Sequence, residues 1–159
     1  MKLIIKQKIL SFFASYNVYD ENDNVVYTIK GQPSWGNKFI ITNAEGQELG
    51  CINQKIFSLL PCYEIFKEGK QIGKINRKFS MFKPKYECDL GGYTVDGDFF
   101  AYKYQVKKDG KDVASISKKV FAFKDTYVID TTEEDAFNAL LIVIAIDTDK
   151  AMQERNNRR

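Results

Sequence analysis

Apolar and polar residues alternate along most of this chain in short runs, the period of a strand with one face buried and one face wet. In Tyr102-Lys103-Tyr104-Gln105-Val106-Lys107, for example, Tyr102, Tyr104 and Val106 fall on one side and Lys103, Gln105 and Lys107 on the other. Turn formers separate the runs at Glu21-Asn22-Asp23-Asn24, Asn43-Ala44-Glu45-Gly46, Glu68-Gly69, Gly91-Gly92 and Asp109-Gly110, and supply the positive φ that tight hairpins need. The pattern predicts about a dozen hairpin-linked strands near residues 2–7, 15–20, 25–30, 37–42, 47–54, 62–67, 70–77, 85–90, 93–97, 101–107, 112–118 and 125–130.

Two short patterns recur, the mark of a repeated supersecondary unit. Tyr-x-apolar appears as Tyr16-Asn17-Val18, Tyr63-Glu64-Ile65, Tyr86-Glu87-Cys88, Tyr104-Gln105-Val106 and Tyr127-Val128-Ile129. A second pattern reads Leu49-Gly50-Cys51-Ile52-Asn53-Gln54-Lys55, Ile72-Gly73-Lys74-Ile75-Asn76-Arg77-Lys78 and Val113-Ala114-Ser115-Ile116-Ser117-Lys118-Lys119. Its copies run into turns at Ile56-Phe57-Ser58, Phe79-Ser80 and Val120-Phe121-Ala122, with Ile9-Leu10-Ser11 a fourth relative. Strand parity pairs a small residue with isoleucine on one face: Gly50 with Ile52, Gly73 with Ile75, Ala114 with Ile116. A wall that alternates small and large side chains leaves room for something thick inside a closed sheet.

The period changes after Asp130. From Ala136 to Ile146 the chain is apolar around the whole circumference of a helix except at Asn138, and such a helix must be buried on every side. Thr131 or Thr132 is the expected N-cap, with Glu133, Glu134 and Asp135 in a first turn where carboxylates suit the helix dipole. A membrane anchor is the rival reading, but about 11 apolar residues span about 17 Å against a hydrocarbon core of about 30 Å. The expectation is one mainly β domain over residues 1–149: a closed antiparallel barrel enclosing a central hydrophobic C-terminal helix, near 133–149. Residues 150–159 are read as a polar, basic, frayed tail.

Composition narrows the chemistry. With 44% hydrophobic and 28% charged residues, the chain of 159 has the make-up of one globular domain with a real core. It contains no histidine, which removes the commonest general base and transition-metal ligand. The three cysteines, Cys51, Cys62 and Cys88, lack metal or redox spacing and read as reduced packing residues. A net charge of +3 does not by itself imply nucleic acid, which is an unfavoured partner. The opening Met1-Lys2-Leu3-Ile4-Ile5-Lys6 is too broken by charge for a signal peptide, so a cytoplasmic location is expected, with peripheral contact at the membrane as an option.

Several segments together resemble the LURP-one-related family, whose fold is similar to the C-terminal domain of Tubby. They are Lys8-Ile9-Leu10-Ser11-Phe12, Tyr19-Asp20-Glu21-Asn22, Lys55-Ile56-Phe57-Ser58-Leu59-Leu60-Pro61, Gly97-Asp98-Phe99-Phe100-Ala101, Ile116-Ser117-Lys118-Lys119, and the helix from Glu133-Glu134-Asp135-Ala136 to Asp147. The resemblance spans Leu3 to Asp147 and implies a twelve-stranded barrel around a central helix, an architecture also attributed to phospholipid scramblases. It implies no activity. Tubby relatives bind phosphoinositides through basic residues, but no matching motif here receives those roles.

The candidate anionic-ligand face is Lys67, Lys70, Lys74, Arg77, Lys78, Lys83 and Lys85, interrupted by one acid, Glu68. It could meet lipid headgroups at about 1 kcal/mol per basic residue, or be a solvated face that protects strand edges. Asp20 and Asp23 begin like a calcium loop, but Val25 stands where glycine should turn the chain, so a hairpin turn is the better reading. Asp96 and Asp98 read as turn carboxylates, Phe99-Phe100 as barrel filling or a lid, and Trp35 as a plug at a barrel mouth ahead of an exposed contact. The reading is a non-catalytic binding or scaffold module without cofactor or metal, contacting an anionic lipid or a protein. An enzyme using loop carboxylates at a barrel end is the alternative. Oligomeric state is left open.

Overall fold

The computed structural model describes residues 1–6, 15–121 and 124–158. Ile9-Leu10-Ser11, the Lys8 to Phe12 part of the resemblance, and Ala122 lie outside the described residues. The strands are β1 (Lys2–Ile5), β2 (Ser15–Tyr19), β3 (Val25–Gln32), β4 (Lys38–Asn43), β5 (Glu48–Gln54), β6 (Cys62–Lys67), β7 (Lys70–Lys78), β8 (Lys85–Asp89), β9 (Tyr93–Asp98), β10 (Lys103–Lys108), β11 (Lys111–Phe121) and β12 (Lys124–Thr131). They form one 12-stranded antiparallel sheet in the order β8-β7-β6-β5-β4-β3-β2-β1-β12-β11-β10-β9. Its outer strands, β8 and β9, follow each other in sequence through a tight turn in which Tyr93 N–H donates to the Leu90 carbonyl at 2.8 Å. The sheet therefore curls into a nearly closed barrel, as the pattern predicts.

Inside it runs the helix α1 (Ala136–Asn157), with every residue from Ala139 to Lys150 buried. The wall around it is built by the predicted parity: Ile52, Ile65, Ile75, Val106, Ile116 and Ile129 are all buried, while Lys74, Lys103 and Gln105 are exposed. Gly50 shows why the wall needs small residues, since a Cβ there would meet the Phe66 carbonyl oxygen at 2.9 Å and the Phe137 ring of α1 at 3.0 Å. The run Ile142-Val143-Ile144 is β-branched and a mediocre helix former, so enclosure rather than propensity holds it helical.

Two boundaries differ from expectation. The helix proper starts at Ala136, and Glu133, Glu134 and Asp135 form the turn before it rather than its first turn. Thr132 organises that turn: its Oγ1 accepts the Asp135 N–H at 3.2 Å and donates to Asp135 Oδ2 at 2.8 Å. At the other end, the residues expected to fray from Lys150 onward continue the helix to Asn157, with Lys150 buried. Asp149 and Lys150 find partners on the wall, and Gln153 Nε2 adds a bond to Asp149 Oδ2 at 2.9 Å, so the helix is tied down beyond its apolar run.

Because neighbouring strands are antiparallel and mostly consecutive, their connections alternate between the two ends of the barrel. One end, the turn end, carries residues 20–24, 44–47, 68–69, 90–92, 109–110 and 132–135. The other, the loop end, carries 33–37, 55–61, 79–84 and 99–102. The helix enters at the turn end, where Tyr93 OH donates to Asp135 Oδ1 at 2.6 Å, and reaches the loop end, where Lys150 Nζ donates to the Phe99 carbonyl. Among the described residues, no helix is long and apolar enough to cross a membrane.

Gly50→Val should destabilise the fold by about 1–3 kcal/mol, the usual cost of overpacking, because the Phe66 backbone carbonyl at 2.9 Å from the new Cβ is held in the β5–β6 ladder. Urea unfolding would measure it, and an unchanged midpoint would show that the helix is not seated against β5 as described.

Candidate functional site

The basic residues singled out in the sequence do not form one face. Lys67 and Lys70 sit opposite each other beside the β6–β7 turn at the turn end, Lys74 lies exposed midway along β7, and Lys78, Lys83 and Lys85 lie at the loop end. Arg77 turns the other way, toward the helix. Its Nε and Nη2 each donate to Asp149 at 2.8 Å, to Oδ2 and Oδ1 respectively. Tyr86 OH donates to Oδ2 at 2.6 Å and Tyr63 OH to Oδ1 at 3.2 Å. The Asp149 side chain has no exposure, while Arg77 keeps 26%. This buried carboxylate thus ties β6, β7 and β8 to the helix, and Arg77 is committed to the fold rather than to a ligand. Burial, followed by the Asp149 charge, drives the Tyr63 and Tyr86 phenols far above their ordinary pKa, so both remain donors.

A second polar cluster lies at the same level on other sides of the helix, since Asp147 and Lys150 are turned away from Asp149 around the axis. Asp147 is buried, and that burial pushes its carboxyl up to about 7 against the pull of Lys150. Burial likewise brings Lys150 down to about 8, with Asp147 acting in the opposite direction. The Lys150 ammonium stands 2.9 Å from the Tyr102 ring centroid. Tyr16 and Tyr104 are also buried, and their phenols are raised by burial and by the Asp147 charge. None of Asp147, Asp149 and Lys150 was singled out as functional in the sequence. The available signal was their position, directly after a wholly apolar helix with no helix breaker between.

The remaining carboxylates are used locally. Asp20 Oδ1 accepts the N–H groups of Asn22 and Asn24, both at 2.9 Å, and Asp23 pairs with Lys6, so this is a hairpin turn. Among the described residues there is no group of three or more potential His, Cys, Asp or Glu metal ligands. Asp98 accepts the Ala101 N–H at 3.0 Å and faces Lys83 at 3.6 Å, while Asp96 stands 4.0 Å from Lys107. Hydrogen-bond donors hold Asp20, Glu21 and Asp98 below the usual carboxylate range, chiefly the N–H groups of Asn24, Lys2 and Ala101. The Cys88 thiol is pushed up to about 12 by burial, in keeping with a packing role.

The loop end differs from the turn end. Its connections hold Trp35, then Ile56, Phe57, Leu59 and Leu60, then Phe79, Met81 and Phe82, then Phe100, all exposed. Apart from Met1, these are the exposed large apolar side chains among the described residues. Trp35 is 93% exposed and plugs nothing, correcting the plug expectation. The barrel mouth beneath is filled instead by Phe99, which packs on Tyr86 and Tyr104 at centroid distances of 5.1 and 4.9 Å, while Phe100 points out. The apolar tips were visible in the sequence as runs that break strand alternation between Lys55 and Pro61 and between Phe79 and Pro84. A depression of about 470 Å³ on β4–β6 is lined by Lys38, Glu48, Cys51, Asn53 and Phe66 among others.

Comparison with known proteins agrees with this architecture. Residues 1–147 match the profile of the LURP-one-related family. The Bacillus subtilis protein YxjI, itself uncharacterized, is 36% identical over 66 residues, 41% of this chain and 41% of that protein. The match thus spans less than half of that relative. An X-ray structure of an Arabidopsis thaliana protein superposes with a TM-score of 0.61 at 18% identity, covering 93% of this chain and 91% of that one, a likeness of fold.

Asp149→Ala should cost about 3–5 kcal/mol by leaving the Arg77 charge without its partner. In a double-mutant cycle Arg77→Ala should then cost much less on the Asp149→Ala background, and additive losses would show that the pair does not couple. Asp147 has a folded pKa above the roughly 3.9 of an unfolded aspartate, so its proton stabilises the native state at low pH. On this group's account stability is highest below about pH 4 and is lost as pH rises through about 7. The stability of the wild type relative to Asp147→Asn should therefore fall across that window in thermal melts. Parallel profiles would contradict it.

Proposed function

We propose that this chain, which belongs to the LURP-one-related family, is a non-catalytic binding module that engages an anionic surface, lipid headgroups above all, through the loop end of its barrel. The observation that carries this reading is the sorting of charge between the ends. At the turn end every described connection except residues 90–92 contains an acid, and none contains lysine or arginine. At the loop end the described connections contain Lys55 and Lys83 and no acid. Lys78 and Lys85 stand there as direct cross-strand partners, a like-charge pairing that is unfavourable until an anion lies across it.

The filled interior, and the hydrogen-bond donors that hold Asp20 and Asp98 ionised in their turns, support binding over a catalytic cleft. At about 1 kcal/mol per basic residue near a charged membrane, these lysines together contribute roughly 3–4 kcal/mol, a weak and salt-sensitive attraction.

Co-sedimentation with vesicles of phosphatidylcholine alone or mixed with phosphatidylglycerol tests the reading. The chain should pellet with the anionic vesicles, less so as salt rises, and Lys78→Glu/Lys83→Glu/Lys85→Glu should abolish pelleting. Lys67→Glu/Lys70→Glu, at the opposite end, should leave it intact. Equal loss from both sets, or equal pelleting with neutral vesicles, would refute it.

A further inference from the structure

The weak electrostatic term leaves the apolar side chains of the same end without a role. They are not scattered: Trp35, Phe57, Leu59, Phe79, Phe82 and Phe100 come from four successive described connections at that end, and the turn end has no counterpart within its turns. Phe57 is 91% and Phe82 93% exposed, so these are tips that stand clear of the barrel. Leaving such groups in water forgoes the gain that burying each of them would bring. Apolar exposure concentrated on one end marks a contact surface.

The form of the surface selects the partner. The tips protrude separately around the rim of the barrel, so a folded protein would need a pocket placed for each of them. A bilayer needs no pockets, since fluid chains close around each tip independently. Aromatic residues beside lysines also fit the membrane interface, where rings settle at headgroup depth and ammonium groups meet phosphates. Lys83 pairs with Asp98 at 3.6 Å, while the described loop connections themselves carry no acid, so the charge of these connections complements an anionic leaflet.

We propose that the loop end inserts into the interface of an anionic bilayer, with Phe57, Leu59, Phe82 and Trp35 below the phosphates and Lys55, Lys78 and Lys85 level with them. The barrel then stands end-on, with the turn end facing water. The proposal rests on the anionic-surface reading above and adds penetration and orientation. Two weak attachments, one electrostatic and one apolar, combine into stable binding where either alone would be marginal.

The chain has a single tryptophan, and it sits on this rim, so its fluorescence reports insertion directly. With phosphatidylcholine–phosphatidylglycerol vesicles, Trp35 emission should shift to the blue and be quenched by phosphatidylcholine brominated near the top of the acyl chains. Phe57→Asp/Phe82→Asp should keep the wild-type melting temperature, because both residues are exposed, yet lose at least tenfold in vesicle affinity together with the shift. Pelleting with unchanged emission and no quenching would overturn insertion while leaving the anionic-surface reading standing. No pelleting at all would overturn both. A concentration-dependent dimer in sedimentation velocity, dissociated by the same variant and without vesicle quenching, would reassign the rim to self-association.

Discussion

An apolar helix without a wet side can exist only if something encloses it, and this constraint organises the whole molecule. The sheet has the matching problem, because its inner wall of isoleucine, valine and tyrosine would otherwise line a void. Each solves the other, and the small residues at Gly50 and Ala114 set the clearance. Where the apolar run ends the interior turns polar, and the buried charges there carry a desolvation cost that only specific partners offset. Asp149 has those partners from three strands, so the end of the core is also where the seam-side strands are tied to the helix.

Much of the barrel was legible because its information is local. Alternation at Tyr104, Val106, Ala114 and Ile116 gives the strands, and unbroken apolarity from Ala139 to Ile146 gives the pillar. The end of the helix was not, because Asp147-Thr148-Asp149-Lys150 read alone is a polar tail. What makes it structure is Arg77, 72 residues earlier. Strand parity did contain that clue: Gly73 and Ile75 face inward, and Arg77 continues their side.

The basic run does not gather on one face, for a geometric reason. A strand of nine residues extends about 30 Å, so lysines that are neighbours in sequence along β6–β8 finish at opposite ends of the barrel. Trp35 misled because a lone tryptophan beside a turn suggests filling, whereas the space under that rim already holds Phe99. The contrast between the ends emerges only once connections are sorted by the side on which they fall, which depends on topology and not on any local motif.

The pairing of β1 with β12 has a kinetic meaning. β1 leaves the ribosome before β12, with ten other strands between them, and the helix that fills the lumen emerges after both. Contacts of such sequence separation form slowly, since loop-closure entropy is lost before any packing is gained. During synthesis the concave wall therefore stays unfilled and open to solvent. That interval leaves apolar strands exposed and delays the decisive folding step until the helix has emerged.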